Sequence, residues 1–358
     1  MGKDKYVAYV GTYTHGSSKG IHLYDVDVEE GTLTPRKVVP VNNSSYVVKS
    51  KNGKYLYSIA DEGVAVFAIA EDGDLELINK TDIDGMRGCH LAVDDAGKYL
   101  YVGGYHDGKI TCVHTHRDGR LGSIFDGVFH RGVGSVAERN FRPHVSCVMP
   151  TPDGKYVCAV DNGIDQVKIY RIDNKTNKLA LADVLRCKRE SAPREITFSK
   201  DGKYAYILFE LINKVGVFTY KDAGKHPEFE LIQLIETVKK PDVRHDCAAA
   251  MTMSEDGKYL FTSTAGNNSV TMFEIQEDGT LERAFTLPIS GEYPKDIALF
   301  PDGKHIAVVN HESNSITTFT IDYEKKLLIM KGKPMKVETP NCILITKACE
   351  FCDVWREE

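Results

Sequence analysis

Residues 143–172 read PHVSCVMPTPDGKYVCAVDNGIDQVKIYRI. A short apolar run, HVSCVM, meets an Asp-Gly-Lys turn. A second run, YVCAV, meets an Asn-Gly turn, and a third, VKIYRI, alternates apolar and polar residues. Asx-Gly pairs between apolar runs of this length are hairpin turns, because glycine reaches the positive φ the turn demands. The stretch is three antiparallel strands in succession, and it has copies. The turn and its following strand recur as NGKYLY (52–57), AGKYLY (96–101), DGKYVC (153–158), DGKYAY (201–206), DGKYLF (256–261) and DGKHIA (302–307).

The glycines of these turns, at 53, 97, 154, 202, 257 and 303, stand 44, 57, 48, 55 and 46 residues apart. The alternating run recurs seven times: IHLYDVD (21–27), VAVFAI (64–69), ITCVHT (110–115), VKIYRI (167–172), VGVFTY (215–220), VTMFEI (269–274) and ITTFTI (316–321). Most copies lead into a further turn and strand, so the unit is four short antiparallel strands. Such a unit repeated seven times predicts an all-β, seven-bladed β-propeller. Only six internal hairpins serve seven third strands. The N-terminal strand YVAYVGTYT is expected to supply the missing second strand and the C-terminal TPNCILITK the matching inner strand. The ends thereby close the ring and leave no sheet edge between the first and last blades. One domain, 1–348, is expected, followed by a tail, 349–358.

The bulk properties fit a packed, soluble protein: 358 residues, 42% hydrophobic and 27% charged, with net charge −6. No long basic run is present, so a nucleic-acid partner is not expected. No apolar run is long enough for a membrane span. The opening MGKDKYVAYVGTYT lacks the apolar centre of a secretion signal, which predicts a cytoplasmic protein. Nine scattered cysteines do not form a disulfide framework. Cys349 and Cys352 form a single CxxC, without the second pair that a structural zinc site needs. No HExxH, EF-hand loop or Gly-rich phosphate loop is present, so neither a metal nor a cofactor is expected.

In a propeller the first strand of each blade lines the central channel. Residues just before strand one and just after strand two then surround one mouth of it. Before strand one stand Ser44 and Ser45, His90, Arg142, His144 and Ser146, Arg194, Ala250 and Lys295. After strand two stand Tyr13, Asp61 and Glu62, Tyr105, Asp161, Glu210, Ala265 and Asn310. So many ionisable groups aimed at one opening point to a ligand or a reaction. His114, His116 and His130 fall in outer strands or loops and read as surface residues.

With these residues in place, the chain resembles the seven-bladed lactonase family, which includes 6-phosphogluconolactonases of the cycloisomerase-2 type and carboxymuconate lactonising enzymes. The resemblance rests on YVGTYTHGSSKGI, CHLAVDDAGKYLYVGGY (89–105), the 143–172 segment, PREITFSKDGKYAYILFEL (193–211), MSEDGKYLFTS (253–263) and YPKDIALFPDGKHIAVVN (293–310), in that order. It implies hydrolysis of a sugar lactone, expected to be phosphorylated, with 6-phosphogluconolactone as the first choice. His144, Arg194 and Glu210 would be catalytic; His90, Arg142, Ser146, Asp161, Lys295 and Tyr105 would bind substrate.

The chain departs from the family pattern at four places. The second His of the family's PHxH is Ser146, a usual Glu is Ala250, and a usual Arg is Ala265. The Arg of the last PR motif is Lys295, which keeps the charge and loses the bidentate fork. A muconate cycloisomerase would need more cationic contacts than these. A non-catalytic propeller that binds a ligand or protein is the other alternative, supported by Ala250 and Ala265.

Overall fold

The computed structural model describes residues 4–348 apart from 136–139, 174, 177 and 243. The described residues form seven four-stranded antiparallel sheets and no helix. Blades 1 to 6 follow one another, with inner strands Val47–Lys49, His90–Val93, Val145–Pro150, Pro193–Phe198, Cys247–Met253 and Pro294–Leu299. The seventh blade joins the chain ends: inner strand Pro340–Lys347 pairs with Tyr6–Thr12, followed by Gly20–Asp27 and Thr32–Pro40. Each inner strand touches the inner strands of both neighbouring blades, and the cycle closes on itself. The ring closure expected from the two termini is therefore observed. The Cys349/Cys352 tail lies outside the described residues.

The repeated hairpin works as its composition predicts. All six turn glycines have φ between 61° and 77°. Ahead of each of five of them, an Asp or Asn carbonyl or carboxylate oxygen accepts the N–H of the lysine two residues on, as Asp153 does for Lys155 at 3.1 Å. These Asx turns fix where strand one ends and strand two begins, and so set the register of each blade.

Packing follows from having a neighbour on both faces. The third strand of blade 1, Gly63–Ile69, is buried at every position, whereas its outer strand Leu75–Asp82 is exposed or half-buried everywhere beyond Leu75. The buried apolar residues fall into seven clusters, one between each pair of adjacent blades; Leu56, Phe67, Tyr9 and Ile21, for example, join blades 1 and 7. Each such side chain stabilises the fold by roughly 1.5–3 kcal/mol.

One irregularity shapes the channel. At the start of five inner strands the pairing skips a residue: Ser146, Arg194, Ala249, Lys295 and Asn341 each have no partner across the ladder. Strict alternation sends neighbouring side chains to opposite faces of a strand. A bulge breaks that rule and re-aims the unpaired residue. As a result Ser146–Cys147, Arg194–Glu195, Ala249–Ala250 and Lys295–Asp296 all present both members to one cavity.

Candidate active site

The cavity sits at the channel mouth remote from the Asx-Gly-Lys turns and encloses about 360 Å³. Of the predicted site residues, Arg194, Glu210, His90, Ser146, Lys295 and Tyr105 line it. His144, Arg142 and Asp161 do not, and each has a physical reason. The His144 ring is stacked behind Tyr105 (4.3 Å between centroids), with Nδ1 2.6 Å from the Tyr105 carbonyl. Arg142 is exposed and rests over the Phe141 ring. The Asp161 carboxylate is buried and fully engaged: Oδ1 accepts the backbone N–H groups of His144 and Gly163, and Oδ2 meets His130 Nδ1 at 2.7 Å. That contact also corrects the surface reading of His130, which is buried. His116 is exposed and His114 half-buried. Ala250 faces the cavity, while Ala265 is buried outside it.

Arg194 is the best-anchored cation. Its Nη1 donates to Glu210 Oε2 at 2.7 Å and its Nε to the Ala249 carbonyl at 2.6 Å. Ser146 braces the same residue, its hydroxyl donating to the Arg194 carbonyl at 2.7 Å. Burial opposes the guanidinium charge, but Glu210, Tyr293 and Glu195 outweigh it, so Arg194 stays protonated. Glu210 is nearly inaccessible and also accepts from Asn162 Nδ2 at 3.1 Å. It is a carboxylate held in place to hold an arginine.

Two further cations face the same space. Lys295 lies over the Tyr293 ring at 5.2 Å and Arg87 over the Tyr13 ring at 4.9 Å. Among the described residues neither has a carboxylate partner, and burial and Arg194 both depress the Lys295 pKa. Tyr293 holds its position with φ at +56°, its N–H donating to Asn268 Oδ1 at 3.0 Å. A left-handed aromatic residue is a strained one, and strain of this kind gathers at binding sites.

Several lining residues were not foreseen: Tyr46, Arg87, Cys89, His106, Glu195, Tyr293 and Asp296. His90 is kept neutral, its pKa pushed down to about 3 by burial and then by Arg194. The Val148 N–H points at its Nδ1 (3.4 Å), which leaves the ring proton on Nε2 to be donated to the Tyr46 hydroxyl at 3.0 Å. Cys89 is no nucleophile, since burial lifts its thiol pKa to about 11. Glu195 accepts the Met251 N–H at 3.0 Å; Asp296 accepts those of Ile297 and Ile343 at 2.9 and 2.8 Å. No group of three or more His, Cys, Asp and Glu side chains is gathered for a metal among the described residues.

Residues 7–345 match the family described as Lactonase, 7-bladed beta-propeller. The chain belongs to this family. A 6-phosphogluconolactonase of Bacillus subtilis is 31% identical over 346 residues, covering 95% of this chain and 98% of that protein. A 6-phosphogluconolactonase of Formosa agariphila is 30% identical over 88% of this chain and 92% of its own length. Among solved structures, a Bacteroides fragilis protein described as a candidate 6-phosphogluconolactonase superposes with a TM-score of 0.87 at 30% identity. It covers 96% of this chain and 99% of its own. The periplasmic gluconolactonase of Pseudomonas aeruginosa superposes with a TM-score of 0.90 at 24% identity, covering 96% and 100%, which shows a shared fold. The chain is thus an enzyme of the lactone-hydrolysing type.

Proposed function

We propose that the protein hydrolyses a phosphorylated sugar lactone, 6-phosphogluconolactone in the first place, to the open hydroxy acid. The observation that carries this reading is a pair of cavity cations with no carboxylate bonded to them among the described residues. Arg194 is neutralised by Glu210, whereas Lys295 and Arg87 have no carboxylate bonded to them among the described residues. A substrate bearing an anionic group supplies the missing partner, and charge-assisted contacts of this kind are the strong ones. The volume suits a ligand the size of one sugar.

In this reading water attacks the lactone carbonyl carbon, and the carbonyl π pair moves onto oxygen as the tetrahedral intermediate forms. Arg194, braced by Glu210, Ser146 and the Ala249 carbonyl, faces that oxyanion and stabilises it without having to reorganise. Collapse of the intermediate breaks the ring C–O bond and leaves an alkoxide that needs a proton. The Tyr105 ring forms a wall for the sugar, and His144 positions Tyr105 from behind. His90 and Tyr46 offer a neutral hydroxyl-binding pair.

The test is turnover of 6-phosphogluconolactone and of glucono-δ-lactone side by side, each corrected for spontaneous opening. A preference for the phosphorylated lactone is expected. Equal rates would remove the phosphate from the reading, and no acceleration of either would favour a propeller that only binds.

A further inference from the structure

The cavity contains three carboxylates, and only one of them has a cation bonded to it. Glu210 takes Arg194; Glu195 and Asp296 make no ion pair among the described residues. They occupy equivalent places, each directly after a bulge that opens an inner strand, in blades 4 and 6. The blade between them contributes Ala249 and Ala250 to the cavity and no ionisable side chain. Beyond them the channel continues as a second chamber of about 740 Å³, lined by Met251, Phe300, Ile343 and others. Glu195, Asp296 and Tyr46 are the residues common to the walls of both chambers. The two carboxylates thus stand at the floor of the upper cavity, reachable from either side.

We propose that Glu195 and Asp296 are the acid–base pair of the reaction, Asp296 accepting a proton from the attacking water and Glu195 protonating the departing ring oxygen. The inference rests on the lactonase reading above.

Hydrogen bonding decides which partner does which. Asp296 accepts two backbone N–H groups and Glu195 one, so the shared negative charge is better stabilised on Asp296. Burial, then the neighbouring Asp296, lifts Glu195 to about 8; burial lifts Asp296 to about 7 despite its two N–H donors. The pair therefore holds one proton near neutrality, and its titration belongs to both residues together. The other charged and titratable groups facing it are Arg194 and Lys295 alongside, Tyr46 from blade 1, Cys147 from blade 3 and Cys342 from blade 7. The two cations favour ionisation and the thiols and phenol stay neutral, so none of them competes for the proton.

The step balances. Water loses one proton to Asp296 as its oxygen bonds to the carbonyl carbon, and the ring C–O bond breaks as Glu195 delivers its proton to the leaving oxygen. A proton then passes from Asp296 to Glu195 and restores the pair. The acid formed keeps the second water proton until it ionises into solvent.

The experiment compares wild type with Glu195→Gln and Asp296→Asn across pH 5–9, together with an infrared titration of protonated carboxyl groups in the ligand-free protein. Each variant is expected to lose about 10²–10⁴-fold in kcat with little change in KM. Asp296→Asn removes the acidic limb of the kcat/KM profile and Glu195→Gln the alkaline limb. A carboxyl C=O band persists at neutral pH in wild type and disappears in Glu195→Gln. A wild type that opens lactones while both variants keep their rate and both limbs overturns the pair alone. A wild type that opens no lactone overturns the lactonase reading and the pair's role with it. Thermal melting of each variant separates loss of chemistry from loss of fold.

Discussion

Blades 4 and 6 open their inner strands with Pro193-Arg194-Glu195 and Pro294-Lys295-Asp296; blade 5, between them, does so with Ala248-Ala249-Ala250. All three carry the same bulge, and all three present two consecutive residues to the cavity. The backbone device is thus common to five of the seven blades, and the chemistry is a matter of which side chains it is loaded with. Two blades supply a cation and a carboxylate each. The third supplies methyl groups and a carbonyl, and so leaves room for a ligand against the Arg194–Glu210 pair. A polar site here needs an apolar member as much as its charged ones.

The comparison breaks most completely at blade 4. Arg194→Ala removes the oxyanion contact, and a loss of about 10²–10³ in kcat is expected from a single missing donor. It also leaves Glu210, almost wholly buried, without its cation, which is expected to cost about 3 kcal/mol of stability in a chemical melt. Arg194→Lys keeps the charge and loses the two-point hold on Glu210 and Ala249, so it is expected to recover the stability better than the rate. Activity within a few-fold of wild type in both variants would take Arg194 out of the chemistry.

At blade 6 the expected effect is smaller and selective. Lys295 lies over Tyr293 and, among the described residues, is bonded to no carboxylate, so its removal affects substrate binding more than the fold. Lys295→Ala should raise KM for the phosphorylated lactone about 10-fold or more, the worth of one charge-assisted contact, and leave glucono-δ-lactone nearly unchanged. Equal effects on both substrates would mean that Lys295 does not read the phosphate.

How far this arrangement could be read in the chain depends on which rule governed each residue. The architecture was legible because the Gly-Lys turn is a local chemical device repeated six times, five of them as Asx-Gly-Lys, and closure followed from counting strands. Arg194, Glu210, His90 and Lys295 were found because they stand at strand ends on the right face. His144 and Asp161 stand there too, yet tertiary contacts turn them away: one ring is stacked behind Tyr105, and one carboxylate is taken by backbone N–H groups and His130. Glu195 and Asp296 were missed for the opposite reason. Alternation assigns the residue after Arg194 or Lys295 to the other face, and only the bulge brings it back. The signal was present as a Pro-cation-carboxylate triplet in two blades; a repeated triplet at a strand start deserves reading as one unit.

Blade 5 offers a sharper variant. Ala250→Glu restores the carboxylate that the family pattern places there and sets it in the cavity with Glu195 and Asp296. A third negative charge nearby disfavours ionisation of the pair, so the alkaline limb of the rate profile should move up by about one pH unit. It also offsets the free cations, so discrimination in favour of the phosphorylated lactone should shrink. An unchanged profile would place Ala250 out of electrical reach of the pair.

The smallest effect is on stability, and its sign is set by the direction of the shifts. Glu195 binds its proton at about 8 in the folded protein against an ordinary 4.5, and Asp296 at about 7 against 3.8. Between those values the folded chain holds protons that the unfolded chain has released, so stability falls as pH rises through the window. The contribution is fully present below pH 4 and gone above pH 8. Glu195→Gln has no proton to lose, and its melting temperature should decline less than that of wild type between pH 5 and pH 9. For a chain of this length the difference is on the order of 5 °C, within reach of calorimetry. Parallel curves for the two proteins would mean that Glu195 titrates as an ordinary solvated carboxylate, and the asymmetry between the charged blades and the alanine blade would then be one of shape alone.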